Sequence, residues 1–175
     1  MECVRDGDLD KLAALFERHN VPLYNYYVRL TRDRDLSEDL VQEVFFRILK
    51  YRHTFRGDGQ FLTWLYHIAR NVRIDEARRR SRETRYDEGV HDVAYEPPRR
   101  ESPEFRQDLS TLDEALARLP EEKRELILMS RYQNLKYAAI AELLGCSVEA
   151  VKVRVHRAMN ELRNIFYQLS GEAPA

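Results

Sequence analysis

Apolar residues return every three to four positions over about 9–19, 23–31, 37–51, 61–80, 109–118, 121–132, 136–144 and 147–168, and no alternating pattern lasts long enough for a strand. The spacing predicts an all-α protein. Between Tyr86 and Gln107 the periodicity stops, because YDEGVHDVAYEPPRRESPEFRQ holds three prolines, many charges and few large aliphatic side chains. A segment of this kind buries too little apolar surface to offset the entropy of ordering it. It reads as a flexible linker over 86–107, joining one small helical domain at 1–85 to another at 108–175.

The C-terminal segment KYAAIAELLGCSVEAVKVRVHRAMNELR reads as two helices joined by a tight turn. Ile140, Ala141, Leu143 and Leu144 give the first an apolar side, and Gly145 stands where a left-handed residue ends a helix at little steric cost. Ser147 is placed to cap the next helix, with Glu149 adding a favourable negative charge in its first turn. Val148, Val151, Val155, Ala158, Met159 and Leu162 then form one inward stripe. The opposite side presents Lys152, Val153, His156 and Asn160, with Arg154 and Arg157 on the flanks. Cations on such a face suit phosphates or guanine edges, and a valine methyl suits a thymine methyl, so a helix-turn-helix entering the major groove is expected. The plainer alternative is a solvated helix whose charges only keep the protein soluble.

In the N-terminal half, Leu40, Val41, Val44, Phe45, Ile48 and Leu49 line the inside of a helix, while Asp39, Gln42, Glu43, Phe46 and Lys50 share the outside. A large aromatic in a mainly acidic strip suits a contact for a partner carrying arginines, unless a neighbouring helix covers Phe46. The next helix mixes aromatics with arginines. Leu62, Leu65, Ile68, Ala69 and Val72 can be buried together, Phe61, Trp64 and Tyr66 cluster near its start, and Arg70, Arg73, Arg78, Arg79 and Arg80 leave a basic surface. Arginines track phosphates and aromatic faces stack on unpaired bases, which suits opened, single-stranded DNA. Trp64 itself could equally be a core residue.

Composition narrows the choice. The chain has 175 residues, 43% of them hydrophobic, enough for a real core. Its formal net charge of −1 conceals segments of opposite sign. Residues 1–45 carry six Lys/Arg against ten Asp/Glu, whereas residues 61–85 carry seven against three. No apolar run is long enough to cross a bilayer, and MECVRDGDLD does not read as a secretory signal, so a cytoplasmic location is expected. Cys3 and Cys146 lie far apart and form neither a CxxC pair nor a Cys/His set, so no disulfide scaffold and no metal site are indicated. His19, His53, His67, His91 and His156 are scattered, and Gly57-Asp58-Gly59 is too short to cradle phosphates. No catalytic residues, cofactor or small-molecule substrate are expected.

Three blocks, DLSEDLVQEVFFRILKYR, FRGDGQFLTWLYHIARNVRIDEARRR and LARLPEEKRELILMSRYQNLKYAAIAELLGCSVEAVKVRVHRAMNELR, in this order and around this linker, resemble the extracytoplasmic-function (ECF) group of bacterial sigma-70 family factors. The resemblance covers nearly the whole chain. It implies a non-catalytic subunit that binds core RNA polymerase and directs initiation at promoter DNA. The acidic strip, Asp39, Gln42, Glu43 and Phe46, would dock on a coiled coil of the polymerase largest subunit. The minus-ten element would be captured and opened by Arg56, Asp58, Gln60, Phe61, Trp64, Arg70, Asn71, Arg73, Arg78, Arg79 and Arg80. The minus-thirty-five duplex would be read by Ser147, Lys152, Val153, Arg154, His156 and Arg157. The linker would thread near the RNA exit path. An anti-sigma factor is a further implied partner, and one anchored in the inner membrane would hold the chain there. The competing reading is a free-standing helix-turn-helix regulator, which would need a dimer to span two half-sites.

Two small modules on a flexible linker gain affinity only when a scaffold fixes their spacing. The free chain should therefore bind promoter duplex far more weakly than its complex with core polymerase does. Titration of the two forms against one labelled promoter checks this, and equal affinities would contradict it.

Overall fold

The computed structural model describes residues 1–57, 60–83 and 103–171. Asp58 and most of the expected linker, 84–102, lie outside the described residues. Eight α-helices follow in order among the described residues: α1 Glu2–Arg5, α2 Asp10–Thr31, α3 Arg34–Tyr51, α4 Phe61–Glu83, α5 Pro103–Arg118, α6 Glu121–Ile127, α7 Tyr137–Leu144 and α8 Val148–Ser170. No strand occurs among them, as the periodicity predicts. The chain divides into two compact units, the first built from α1 to α4 and the second from α5 to α8, with Val28–Arg32 at the end of α2 grouped with the second.

Several boundaries depart from the sequence-based expectation. The stretches expected at 9–19 and 23–31 form the single helix α2, which runs through Pro22. Proline inside a helix removes one hydrogen bond and costs about 3 kcal/mol. Burial of Leu23, Tyr26 and Tyr27 just beyond it favours continuing the helix, and all three are buried to within 1% of complete. Helix α3 starts three residues before Ser37 because Asp33 is its cap: the Asp33 carboxylate accepts from the Leu36 N–H at 2.9 Å. Ser37 is instead fully buried, its hydroxyl donating to the Asp33 carbonyl at 2.5 Å. Residues 103–107, expected in the linker, are the first turns of α5. Pro103 stands at its first position, where a missing N–H costs nothing and the fixed φ suits a helix. The run expected as one helix over 121–132 changes after Ile127 to a π-helical turn, Leu128–Tyr132.

The first unit is held by an aromatic nest. Tyr26 contacts Tyr27 and Tyr66, with ring centroids 5.4 and 5.3 Å apart, and Leu65, Ala69 and Val72 of α4 close the layer. The Tyr27 hydroxyl donates to the Ala69 carbonyl at 2.8 Å, fixing α4 against α2. Tyr66, expected near the exposed aromatics, is 2% exposed and belongs to this core. Burial raises its phenol above the ordinary value. In the second unit Ala115, Leu116, Leu119, Ile127, Ala158 and Leu162 form the core. Lys123 of α6 donates to Glu161 of α8 across its edge.

Tyr27→Phe removes the hydroxyl and keeps the ring. It should destabilise the first unit by about 1 kcal/mol. A lower denaturant midpoint with an unchanged slope in equilibrium unfolding is the expected result.

Candidate nucleic-acid and polymerase interfaces

The turn between α7 and α8 follows from three residues. Gly145 adopts φ +61°, the Cys146 N–H donates to the Ala141 carbonyl at 3.0 Å, and the Gly145 N–H to that of Glu142 at 3.3 Å. This pair of bonds is a Schellman ending, and it satisfies carbonyls that α7 would leave open. Ser147 then caps α8, its Oγ accepting from the Ala150 N–H at 3.1 Å. Val151, Val155, Ala158 and Leu162 are buried, so the opposite face of α8 points outward. Ser147, Lys152, Val153, Arg154, His156 and Arg157 are all exposed. Val153 is 48% exposed, which gives the basic face an apolar contact point. Asn160, half-buried at the border of that face, lies 3.1 Å from His156 Nε2 and fixes the ring's direction.

On α3, Phe46 is 59% exposed, and no neighbouring helix of its own unit covers it. Asp39 and Gln42 are exposed beside it, while Glu43 is half-buried. Arg47, one turn on, donates through Nε to Glu43 at 2.7 Å and through Nη1 to Asp75 of α4 at 2.7 Å. This link was not anticipated. The i, i+4 spacing of Glu43 and Arg47 would have suggested its first half.

The start of α4 gathers aromatics. Trp64 lies 5.4 Å from Phe55 and 6.2 Å from Phe61, and Phe61 lies 5.3 Å from His19. Phe55 is buried, whereas Phe61 and Trp64 are half-buried and keep part of each ring open. Burial and the charge of Arg18 lower the pKa of His19, which favours a neutral ring in this cluster. Arg56 and Gln60 are exposed at the two ends of the loop before α4, and the Gln60 carbonyl accepts from the Thr63 N–H at 3.0 Å to start the helix. Gly57 adopts φ +82°, and a Cβ there would come within 2.9 Å of Glu2 Oε1, so the N-terminal turn rests on this loop. Nothing in the apolar periodicity marked α1 as a neighbour of the loop, because a four-residue helix carries too little pattern.

Farther along α4 the arginines divide between two sides. Arg73, Arg78 and Arg82 flank a shallow groove floored by Ile74, Ala77 and Ser81. Arg79 and Arg80 turn the other way, onto Glu76. Arg79 donates twice to its carboxylate at 2.9 Å, Arg80 once at 3.0 Å, and Arg80 also lies 3.5 Å from Asp33. Arg70 and Arg73 are half-buried, and Asn71 is exposed and 3.3 Å from His67 Nδ1. Arg82 was missed because the periodicity seemed to end at residue 80, three residues short of the helix end.

The Arg79 hydrogen bonds hold the Glu76 carboxyl below its ordinary value, partial burial opposes this, and Arg80 adds to the lowering. A lowered carboxyl stabilises the fold at pH values above the unfolded pKa and loses that contribution as pH falls through the folded one. Arg79 and Arg80 are well exposed, so the contribution is about 1 kcal/mol at most. Glu76→Gln should therefore be slightly less stable at neutral pH, and its melting temperature should converge with that of the wild type in acid. Melting curves from pH 7 down to 3 check this.

A helix-turn-helix with an exposed basic face, in a chain whose other unit carries a second arginine-rich helix, defines a DNA-binding protein of the helix-turn-helix class. Comparison with known proteins narrows the class. Residues 15–83 match the Sigma-70 region 2 family and residues 109–162 the Sigma-70 region 4 family. The chain is 34% identical over 161 residues to the ECF RNA polymerase sigma factor SigL of Mycobacterium tuberculosis, covering 90% of each chain. It is 31% identical over 174 residues to the RNA polymerase sigma factor CarQ of Myxococcus xanthus, covering 98% of each. Its fold is similar to that of the sigma factor RpoE of Bartonella quintana, solved in complex with the anti-sigma factor NepR, with a TM-score of 0.74 and 26% identity over 87% of this chain and 96% of that one. The chain belongs to the ECF sigma factors of the sigma-70 family. It directs RNA polymerase to promoters, and the reading as a free-standing regulator falls away.

Proposed function

We propose a division of labour among the surfaces described. The strip of Asp39, Gln42, Glu43 and Phe46 binds core RNA polymerase. Phe46 carries this reading, because an aromatic side chain left more than half open among carboxylates gains most by burial against an apolar patch edged with arginines. The aromatic cluster at the start of α4 and the arginines beyond it act on the minus-ten element. Unstacking a base costs a few kcal/mol, which stacking against half-open rings and phosphate contacts offset. Of the arginines, Arg78 and Arg82 are exposed along the open groove and placed for phosphate contact, with Arg73 at the groove's other end, whereas Arg79 and Arg80 must first exchange Glu76 for phosphate. The exposed face of α8 reads the minus-thirty-five duplex.

The domain boundaries 1–85 and 108–175, with a linker between them, serve this division, with α5 beginning at Pro103. The chain acts as a non-catalytic subunit, and the polymerase makes the RNA. No helix among the described residues is long and apolar enough to cross a membrane, which supports a cytoplasmic location. An anti-sigma factor is assigned as a partner on the likeness to RpoE, which was solved bound to one. A membrane-anchored inhibitor would hold the chain at the inner membrane.

Run-off transcription with purified core polymerase on genomic DNA tests the reading, since defined transcripts require both promoter surfaces and the polymerase contact. Phe46→Ala should bind core polymerase about tenfold or more weakly, as expected for an interface anchor. Its melting temperature should stay near that of the wild type, because the side chain is exposed. Normal binding by this variant would reduce the acidic strip to a solvated face.

A further inference from the structure

Arg47 stands between two surfaces that the proposed function treats separately. Its guanidinium holds Glu43, a member of the polymerase strip, through Nε, and Asp75, on the DNA-opening helix, through Nη1, each at 2.7 Å. Asp75 is a misfit for its position. One helical turn to either side of it lie Asn71, Arg78 and Arg79, all expected at DNA, so its carboxylate sits within the set of side chains that meet phosphates. Left bare, it would repel the backbone those residues attract. Its acidic neighbour Glu76 is engaged by Arg79 and Arg80 of the same helix, but the partner of Asp75 comes from α3. Arg47 is three-quarters covered, whereas Glu43 and Asp75 are about half open. The arginine is thus the fixed centre, and each carboxylate remains accessible to an outside charge.

We propose that Arg47 is a positioning residue that joins polymerase binding to promoter opening by neutralising Asp75 on α4. The proposal rests on the reading of the α3 strip as the polymerase contact. One guanidinium shared by two carboxylates satisfies each less fully than it would satisfy one. When a polymerase cation takes Glu43, Arg47 is left to Asp75 alone. The repulsion between Asp75 and the DNA backbone then falls at the moment the promoter is engaged. The coupling works in both directions, as linkage requires.

The test uses the complex of the full chain with core polymerase on a promoter mapped by run-off transcription, comparing wild type, Arg47→Ala, Asp75→Asn, the double variant and Glu43→Gln. Arg47→Ala should bind core polymerase as well as the wild type or better, since Glu43 is released to its partner. It should form about three- to tenfold fewer open complexes, with a log–log salt slope smaller by about 0.9, the equivalent of one phosphate contact. Adding Asp75→Asn should restore open complexes to within about twofold of the wild type and recover the slope. Loss of the Arg47 side-chain stem lowers the melting temperature of the single and double variants alike, so repacking cannot produce that rescue. A double variant as defective as Arg47→Ala overturns the proposal. Normal core binding by Glu43→Gln overturns the polymerase reading of the strip and with it the coupling, whatever the rescue shows about Asp75.

Discussion

The function of the first unit depends on how α4 is held. The helix must bury one side firmly enough to project arginines from the other, and a helix this rich in like charge has little reason to pack by itself. Tyr26, Tyr27 and Tyr66 supply the hold. Three large rings bury much apolar area, and one hydroxyl reaches a backbone carbonyl, that of Ala69, at 2.8 Å. Rotation of α4 about its axis would break the bond and push Leu65 or Val72 into water. The azimuth of every arginine beyond them is therefore set by the core.

Much of this architecture was legible in the sequence, because its elements are long and amphipathic. The stripe of Val151, Val155, Ala158 and Leu162 gave the face of α8 directly, and Gly145 with Ser147 gave the turn. What could not be read is equally specific. The apolar stretches at 9–19 and 23–31 read as separate, yet α2 runs through Pro22 between them, because the residues buried beyond it favour continuation against the local propensity. Tyr66 was grouped with Phe61 and Trp64 by proximity along the chain. Its place in the core comes from Tyr26, forty residues away in sequence, and no local pattern carries that pairing. The partners of the arginines were illegible for the same reason. Composition counts charges, but only the fold brings Arg47 to Asp75.

The two candidate DNA surfaces differ in how their cations are kept. On α8, Lys152, Arg154 and Arg157 pair with no carboxylate among the described residues, so the face offers its charge without rearrangement. On α4, Glu76 holds Arg79 and Arg80, and Asp75 lies between them and Asn71. A phosphate reaching these arginines must displace the Glu76 carboxylate, which Arg79 holds through two bonds, and this subtracts from the affinity a bare arginine would have. Random duplex presents phosphates everywhere, so uncompensated arginines on α4 would bind it without discrimination. Carboxylates in the set lower affinity for every duplex alike. On the proposed reading of α4, they leave the energy gained at an opened promoter, where bases would also stack on Phe61 and Trp64, to decide where the helix stays.

That arrangement explains why a nearly neutral chain suits a protein that must bind a polyanion. The acidic groups do not form a separate domain that cancels the basic one on paper. They sit one turn from the cations they restrain, as Glu43 does from Arg47 and Glu76 does from Arg80. Coulomb attraction at such distances is several times stronger near a protein surface than in bulk water, and it weakens as competing ions arrive. Each pair can therefore exchange partners with a charged ligand at small net cost. On the proposed division of labour, the first unit would hold its charged groups in check when alone and yield them to a polymerase and to DNA, while the face of α8 stays open throughout.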